Sequence, residues 1–421
     1  PLQGLLIKAS VGTDIRINER NSYLPSTISI ANQETKYAYM GKNRGESYLL
    51  SLMADYKKAI GQHSFGVMGA FEFEHIGKNG STMISSGFPS DDFLWNNMGS
   101  GSRAHPDVTS YKNIDQRASY IARVNYGYDN RYLISANMRV GSSNFASNKQ
   151  WGTFFGVSAA WKIAEENFIK NNFEWLNDLK LRAGWGQVGD DGKLVGNHTY
   201  FTTYYYAFNG IPTAGLGLGT IANPNLSWET KNNFNIGLDW GILNSRLHGT
   251  FDYFLSRTKN KIGKRKLPIN QEITEIDYNL SQVDGSHGFE VGISSVNIHN
   301  KKFKWNTDFV LSYYRNYFVE RDANYVLGIN ETQRMDVNDM WEYVVEGMIP
   351  AGNRNAGALK IKDLDGYLRD ENGNIKMVNG KPAYLGAPDG KIDEADMVYK
   401  GNSTPIPFSL NNSFEFGNFD F

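Results

Sequence analysis

The stretch RASYIARVNYGYDNRYLISANMRV, from Arg117 to Val140, decides the fold. Read two residues at a time, it separates into two rows on either side of Asp129-Asn130. One row is apolar and consists of Ala118, Tyr120, Ala122, Val124, Tyr126, Tyr128, Tyr132, Ile134, Ala136, Met138 and Val140. Alternation with period two over so many residues is typical of a β-strand with one apolar and one polar face. We therefore predict a β-hairpin that turns at Asp129-Asn130.

The length of these strands indicates a membrane. A strand of a soluble sandwich usually has about 5–6 residues, whereas a tilted strand of about 9–11 residues crosses a bilayer. The other row is polar and contains Arg123 and Arg139. An aromatic-rich row opposite such a row fits a wall with lipid on one side and water on the other. The stretch thus predicts an all-β fold, a transmembrane antiparallel up-and-down β-barrel.

The same pattern recurs along the chain and predicts twelve strands. Apart from the hairpin, they lie near residues 4–17, 48–56, 65–73, 155–161, 179–185, 234–240, 247–255, 289–293, 305–313 and 408–416. One helix is predicted over Ala164–Leu176. The connections alternate between short turns and long loops at 18–46, 75–114, 188–228, 258–285 and 317–405, with 142–150 as the exception. Long loops on one side and tight turns on the other are typical of an outer-membrane barrel.

Composition is consistent with this prediction. The chain has 421 residues, 24 Tyr, 24 Phe, 9 Trp and 43 Gly, and it has no cysteine, so disulfides and thiolate metal sites are excluded. A net charge of −1 gives no reason to expect a nucleic-acid partner. The mean hydropathy is −0.47 and no run of 18 apolar residues occurs, so no membrane-spanning helix is expected, whereas alternating strands are not excluded. No signal peptide opens the chain, so we expect a fragment with neighbouring segments on both sides.

Several stretches resemble one family. The hairpin itself, WGTFFGVSAAW (151–161), LNDLKLRAGWGQVG (176–189), NPNLSWETK (223–231) and the acidic segment DGKIDEAD (389–396) are similar to the SusC/RagA family of TonB-linked outer-membrane proteins. Each stretch alone is weak, but together they are specific, and the similarity runs from about residue 45 to the end.

The resemblance implies a barrel of about 22 strands, of which residues 1–421 would form one part. It also implies a plug domain and a TonB box upstream of this chain, and energy from TonB–ExbB–ExbD through those segments. The implied function is import of oligosaccharides or peptides through the bacterial outer membrane. A SusD-like surface lipoprotein would close the barrel as a lid.

An acidic loop predicts a divalent cation. A calcium loop places side-chain oxygens at positions 1, 3, 5 and 12 with glycine at position 6. Asp363, Asp365, Asp389 and Asp396 regain this spacing if residues 366–388 fold out as an inserted hairpin with turns at 372–373 and 379–380. We therefore expect either bound Ca²⁺ or a plain acidic surface loop.

Aromatic clusters in two long loops predict substrate contact. They consist of Tyr200, Phe201, Tyr204, Tyr205, Tyr206 and Phe208 in one loop, and Phe88, Phe93 and Trp95 in the other. Aromatic faces stack on sugar rings or peptide side chains, and loops often carry binding residues. The alternative is that these rings pack the loops against each other or against the lid.

Two other classes of function remain to be compared. A soluble all-β adhesion or glycan-binding module would bury the apolar row against a second sheet. An enzyme would need a nucleophile or a convergent acid pair, and the chain has neither His-Glu-x-x-His nor Gly-x-Ser-x-Gly. If the apolar row is exposed, the barrel wall is favoured. If a second sheet buries the row, the soluble module is favoured.

Overall fold

Strands account for most of the computed structural model. It describes the chain except residues 1–2, 29–35, 103–106, 144–147, 192–199, 209–210, 269–272, 326–329, 332–333, 371–374, 379–380, 418 and 421, and only the backbone of 200–214, 216–220, 377, 381–382 and 420. The strands are β1 (Leu5–Leu24), β2 (Tyr37–Ile60), β3 (His63–Ser85), β4 (Asp107–Tyr128), β5 (Tyr132–Ser142), β6 (Trp151–Lys162), β7 (Leu176–Asp190), β8 (Tyr200–Phe208), β9 (Ile211–Thr220), β10 (Glu229–Ile242), β11 (Leu247–Lys259), β12 (Ile262–Lys266), β13 (Glu275–Asn279), β14 (Val283–His299), β15 (Phe303–Glu320), β16 (Asp339–Tyr343), β17 (Val345–Met348), β18 (Leu359–Ile361), β19 (Met377–Val378), β20 (Lys381–Pro382), β21 (Met397–Asn402), β22 (Phe408–Phe416) and β23 (Phe419–Asp420). One α-helix, α1 (Asn167–Lys170), and 3₁₀ turns at Asp91–Phe93, Met98–Ser100, Ile163–Glu165 and Glu394–Asp396 complete the elements.

One antiparallel sheet forms the wall. Its thirteen strands run in the order β1-β2-β3-β4-β5-β6-β7-β10-β11-β14-β15-β22-β23, so each strand pairs with the next wall strand in sequence. The twelve predicted strands are confirmed, and the two-residue β23 adds a thirteenth. The two ends of this order do not pair with each other within the described residues, so the sheet is an open part of a wall.

The turn at Asp129-Asn130 sets the register of the central hairpin. Both residues have left-handed φ values, 51° and 53°, and the Arg131 N–H donates to the Tyr128 carbonyl oxygen over 2.9 Å. Left-handed φ at both central residues is the geometry that suits a tight hairpin with twisted strands. It places Tyr126 opposite Ile134, with both side chains in the apolar row.

The first four strands are longer than predicted. β1 continues to Leu24 and β2 begins at Tyr37, so most of the predicted 18–46 connection is paired strand. The added residues lack a regular apolar alternation, and ion pairs such as Lys42–Glu19 (2.7 Å) join neighbouring strands there. The apolar alternation therefore ends before the backbone pairing does.

The predicted helix over Ala164–Leu176 was mostly wrong. The structure has a 3₁₀ turn at Ile163–Glu165 and the single turn α1. The turn ends at Lys170 with Asn171 as its C-cap, and just beyond it the side-chain amide of Asn172 donates to the carbonyl oxygen of Phe168 over 2.8 Å. Asparagine side chains compete with the helical backbone for hydrogen bonds.

The long connections contain short hairpins that the sequence analysis treated as structureless. These pairs are β8–β9, β12–β13, β16–β21, β17–β18 and β19–β20. The insert predicted at 366–388 is confirmed as paired, because bridges join Tyr367 to Tyr384 and Arg369 to Ile375. Both of its predicted turn pairs, 372–373 and 379–380, fall on residues outside the described part.

The apolar row is exposed. Tyr120 is 54% accessible, Ile134 is 50% and Phe251 is 44%. Among the described residues no second sheet covers this row, since the other sheets are the two-stranded hairpins of the connections. The soluble sandwich that would bury the row is therefore not formed. No helix among the described residues is long and apolar enough to cross a bilayer.

Aromatic pairs mark two levels on this apolar face. At the short-turn end Tyr132 stacks on Trp161, with 6.3 Å between ring centroids. Farther along, Tyr120 stacks on Trp151 at 6.1 Å, where Trp151 pairs with Ser142. The path along β5 from Tyr132 to Ser142 is about ten residues. At about 3.4 Å per residue and about 40° of tilt, it rises roughly 25 Å. This matches the apolar band of an outer-membrane barrel, flanked by two aromatic girdles.

Candidate functional site

The face opposite the apolar row, here called the polar face, holds the polar and charged side chains of the wall. Its side chains on β4 and β5 include Arg123, Asn125, Ser135 and Asn137, which pair across the two strands. All four side chains are polar and would be unfavourable in lipid. The polar face is therefore the side on which a hydrophilic solute could meet the wall.

Three strands bring charged groups together on this face. The Arg182 guanidinium on β7 donates to both Asp239 oxygens, at 2.7–3.0 Å, and to Asp252 at 3.1 Å. Gly237 on β10 lies opposite both Arg182 and Asp252, and a Cβ there would stand 2.4 Å from Asp252 Oδ1 and 2.7 Å from Arg182 Nη2. Lys180 also approaches Asp239, at 3.4 Å. The network links β7, β10 and β11, and a Cβ at Gly237 would require the side-chain ends of Arg182 and Asp252 to shift.

A hollow of about 450 Å³ lies on the polar face near the long-loop end. Its wall includes the aromatic pair Phe154 and Trp228, whose rings meet edge to face at 5.4 Å. The Trp228 ring is fixed by its Nε1–H, which donates to the Gln150 carbonyl oxygen over 3.1 Å. An aromatic wall of this kind offers a stacking surface to a solute.

Charged side chains of both signs line the same hollow. Arg139 donates to Ser119 Oγ over 3.0 Å and lies 3.7 Å from Glu72. Arg117 contacts Asp115 at 2.8 Å and the buried Asp191 at 2.9 Å. The hollow therefore combines aromatic, cationic and anionic groups within one recess.

The sequence analysis did not single out this recess. The alternation predicted Arg139 in the polar row, and the same period applied to the strand near 155–161 puts Phe155 in the apolar row and Phe154 on the polar face. The polar position of Phe154 was thus available from the sequence. Its partner Trp228 comes from another segment, so only the fold brings the two rings together.

The predicted substrate aromatics divide into two groups. Phe93 ends the 3₁₀ turn Asp91–Phe93 and Trp95 follows it, and both are half-exposed. Phe88, from the same loop, is 1% accessible and packs edge to face on Tyr23, so it belongs to the core. The contact role of Phe93 and Trp95 stays a prediction.

The second predicted cluster lies on β8. Tyr200, Tyr204, Tyr205 and Tyr206 belong to this strand, which pairs with β9 as a hairpin in the loop between β7 and β10. Their side chains lie outside the described residues. Their role in substrate contact also stays a prediction.

The acidic loop is tied together by backbone amides. Asp363 accepts from Asp389 N–H at 3.3 Å and Gly390 N–H at 2.7 Å. Asp365 Oδ1 accepts from three amides, the shortest being Gly386 N–H at 2.6 Å. These hydrogen bonds join residues 363–365 to residues 386–390.

Asp396 is the centre of this loop. It is fully buried and accepts from Leu364 N–H at 2.6 Å and Asp365 N–H at 3.2 Å. Burial alone would raise the pKa of its carboxyl group. Hydrogen bonds from the amides of Asp393, Leu364 and Asp365 outweigh burial and hold the pKa below its usual range.

These aspartates do not form a ready cation site. Within the described part of the chain, no three His, Asp or Glu side chains are grouped so as to hold a metal ion. Asp389 also uses one oxygen internally, accepting from Lys391 N–H at 2.9 Å. Binding of Ca²⁺ by Asp363, Asp365, Asp389 and Asp396 therefore stays a prediction, and it would require these carboxylates to turn from amides to the ion.

Comparison with known proteins identifies the wall. The family described as TonB dependent receptor-like, beta-barrel, matches residues 8–359, well over half of the chain. The chain belongs to this TonB-dependent receptor-like β-barrel family. The two-sided wall described above is thus a part of an outer-membrane barrel. That one barrel domain spans all of residues 1–421 stays a prediction.

Members of the TonB-dependent receptor-like family resemble the chain along its whole length. It is 30% identical over 439 residues to the TonB-dependent receptor SusC of Bacteroides thetaiotaomicron, covering 100% of this chain and 41% of SusC. It is 26% identical over 444 residues to a TonB-dependent receptor of Formosa agariphila, covering 100% of the chain and 42% of that relative. The predicted SusC/RagA resemblance is confirmed, and the chain spans about two-fifths of the length of these relatives.

A solved structure shares the fold. The RagAB peptide importer in its open-open state superimposes with a TM-score of 0.77 at 19% identity, covering 100% of this chain and 44% of that one. Identity at this level supports the fold and no finer conclusion.

Proposed function

We propose that the full-length protein is a TonB-dependent importer of the outer membrane, and that this chain supplies part of its wall and its substrate-facing outer loops. The observation that carries the proposal is the two-sided wall. Phe155 is 48% accessible in the apolar row, while its neighbour Phe154 lines the hollow of the polar face. A wall with lipid on one side and a charged recess on the other is suited to passing a hydrophilic solute.

The substrate class we propose is an oligosaccharide or a peptide. The pair Phe154 and Trp228 can stack on a sugar ring or on an apolar peptide side chain. Arg139 and Glu72 can bind sugar hydroxyls, and they can equally bind the charged termini of a peptide. RagAB, which shares the fold, is described as a peptide transporter, and the uptake test below decides between the two classes.

Two partners belong to the proposal. A SusD-like surface lipoprotein would close the long-loop end, and TonB–ExbB–ExbD would supply energy through segments outside this chain. Support comes from the curated relatives, which are named TonB-dependent receptors. Because these names describe receptors and not enzymes, we propose that the protein transports its substrate without reacting with it.

The test is uptake by cells that carry the full-length gene. A deletion strain is complemented with wild type, Phe154→Ala or Phe155→Ala, and import of fluorescent peptides and oligosaccharides is measured. We expect wild type to restore one substrate class, Phe154→Ala to lower uptake several-fold, and Phe155→Ala to leave it unchanged. Outer-membrane fractions of all three strains control for assembly.

Two results would contradict the proposal. One is recovery of the assembled protein with no import of either class. The other is equal uptake by the two phenylalanine variants, which would show that the substrate does not contact the hollow. Co-purification of a lipoprotein from the wild-type strain tests the partner separately.

A further inference from the structure

Two glycines lie against the aromatic pair of the hollow. Gly152 is on the same strand as Phe154, β6, and Gly189 is on β7. A Cβ at Gly189 would stand 1.9 Å from Cζ of the Phe154 ring, and a Cβ at Gly152 would stand 2.6 Å from the same atom. Carbon atoms in contact are about 3.5–4.0 Å apart. The end of the ring therefore occupies space that a side chain at either position would fill.

The ring reaches Gly189 beyond the point where β6 and β7 stop pairing. The two strands pair with each other as far as Gly156 and Gly186. Farther toward the long-loop end β6 still pairs with β5, and β7 still pairs with β10. The Phe154 ring is thus a side-chain contact between β6 and β7 where the two strands share no backbone pairing.

Gly152 also leaves room for the second ring of the pair. A Cβ at this position would stand 2.9 Å from Trp228 Nε1, the atom that donates to the Gln150 carbonyl oxygen. The planes of the Phe154 and Trp228 rings meet at 71°, so the two rings form a corner in the wall of the hollow. An apolar part of a solute can lie in such a corner, against the face of one ring and the edge of the other.

Neither glycine is required by its own backbone. Both lie outside the set of residues with left-handed φ, so alanine is compatible with their conformation. The three atoms nearest to a Cβ at Gly189 all belong to the end of the Phe154 ring, which can move. The end of the ring would have to move by about 1.6 Å to reach an ordinary contact distance. The absence of a Cβ at Gly189 therefore determines where the ring lies.

We propose that Gly189 and Gly152 are positioning residues, which keep the Phe154 ring in contact with β7 and so shape the corner in which an apolar part of the imported solute binds. The inference rests on the proposed function, because it assigns a role to two further residues of the same hollow. Both glycines act on the solute through the ring. Replacing either of them by alanine should weaken solute binding without preventing assembly of the wall.

The test is concentration-dependent uptake by the complemented deletion strain, with the substrate class that wild type imports. Gly189→Ala, Phe154→Ala and the double variant are compared with wild type. Gly184→Ala is the matched control, because Gly184 is on the same strand and a Cβ there would stand 3.6 Å from its nearest neighbour, the Cβ of Ser158. Outer-membrane fractions and heat-modifiable gel mobility control for assembly.

We expect Gly189→Ala to raise the half-saturating concentration at least about three-fold and to leave the maximal rate within about two-fold of wild type. Gly184→Ala should change neither quantity. The double variant should match Phe154→Ala, because a glycine that acts through the ring has no effect once the ring is removed. Gly152→Ala replaces Gly189→Ala if the latter barrel does not assemble.

Two results would overturn the inference and leave the proposed function intact. One is a normal half-saturating concentration in Gly189→Ala while Phe154→Ala is impaired. The other is a double variant whose defect is the product of the two single defects, because the glycine would then act independently of the ring. Uptake by Phe154→Ala equal to that of wild type is a failure of the proposed function itself, and it overturns both.

Discussion

Replacing Ala136 by arginine tests the lipid-facing row directly. Ala136 lies on β5 between the two girdles, opposite Val124 and Val157, which are both about half exposed. Counted from Tyr132, it stands roughly 10 Å above the lower girdle, near the middle of a band about 25 Å tall. The two residues directly opposite, Val124 and Val157, offer the new charge no hydrogen-bonding side chain.

The expected cost follows from this depth. An arginine at the mid-plane of a membrane barrel destabilises it by about 2–4 kcal/mol, and the cost falls to about 0–1 kcal/mol near the interface. Ser135→Arg is the matched control, because Ser135 precedes Ala136 on the same strand and faces the other way, opposite Asn125 and Ser158. We expect Ser135→Arg to cost less than about 1 kcal/mol, since its charge stays in water.

The assay is urea unfolding of the full-length protein in lipid vesicles, followed by tryptophan emission. The free energy of unfolding is compared for wild type, Ala136→Arg and Ser135→Arg. Equal losses in the two variants, or a larger loss in Ser135→Arg, would refute the assignment of faces. Tyr132→Arg tests the dependence on depth. Because Tyr132 lies at the girdle, the loss of unfolding free energy should be the smaller, interfacial value.

Three further outcomes are expected. Gly237→Ala should cost about 1–3 kcal/mol of unfolding free energy in the same assay, because its Cβ would displace Asp252 from the ion network; Gly69→Ala, with open space around it, should be nearly neutral. The lowered pKa of Asp396 means that its carboxylate stabilises the loop above the unfolded pKa of about 4, and that this stability is lost as pH falls through the folded pKa. The protection of residues 359–402 against hydrogen exchange, measured relative to the intrinsic exchange rate at each pH, should therefore fall below about pH 4 in wild type, whereas Asp396→Asn should be less protected at pH 7 and its protection should change little with pH. If the loop binds Ca²⁺, chelation at pH 7 should increase proteolysis of 359–402, and unchanged cleavage would count against the ion.

Period-two alternation was enough to predict the wall because it is a local property. In a strand, successive side chains point to opposite faces, so the order of Tyr120, Ala122 and Val124 already defines which face meets lipid. Asp129-Asn130 likewise marks a tight turn by its own backbone preferences. The twelve strands and their alternating connections followed from repeating these two local signals.

Where the sequence failed, the deciding forces were not local. The upper halves of β1 to β4 are held by pairing with neighbouring strands, and their side chains carry no apolar period to reveal it. The helix over 164–176 was predicted from apolar spacing, but Glu166 and Asn172 make side-chain hydrogen bonds that favour a short turn.

The sequence by itself determined that this chain is a two-sided wall, with lipid against Tyr120 and water against Arg123. Only the tertiary structure decided what the polar face contains. Arg182, Asp239 and Asp252 lie on three strands, and Phe154 meets Trp228 across the fold. The period of a strand fixes the direction of each side chain, but the register between strands fixes its neighbours. Register depends on contacts between residues far apart in the chain.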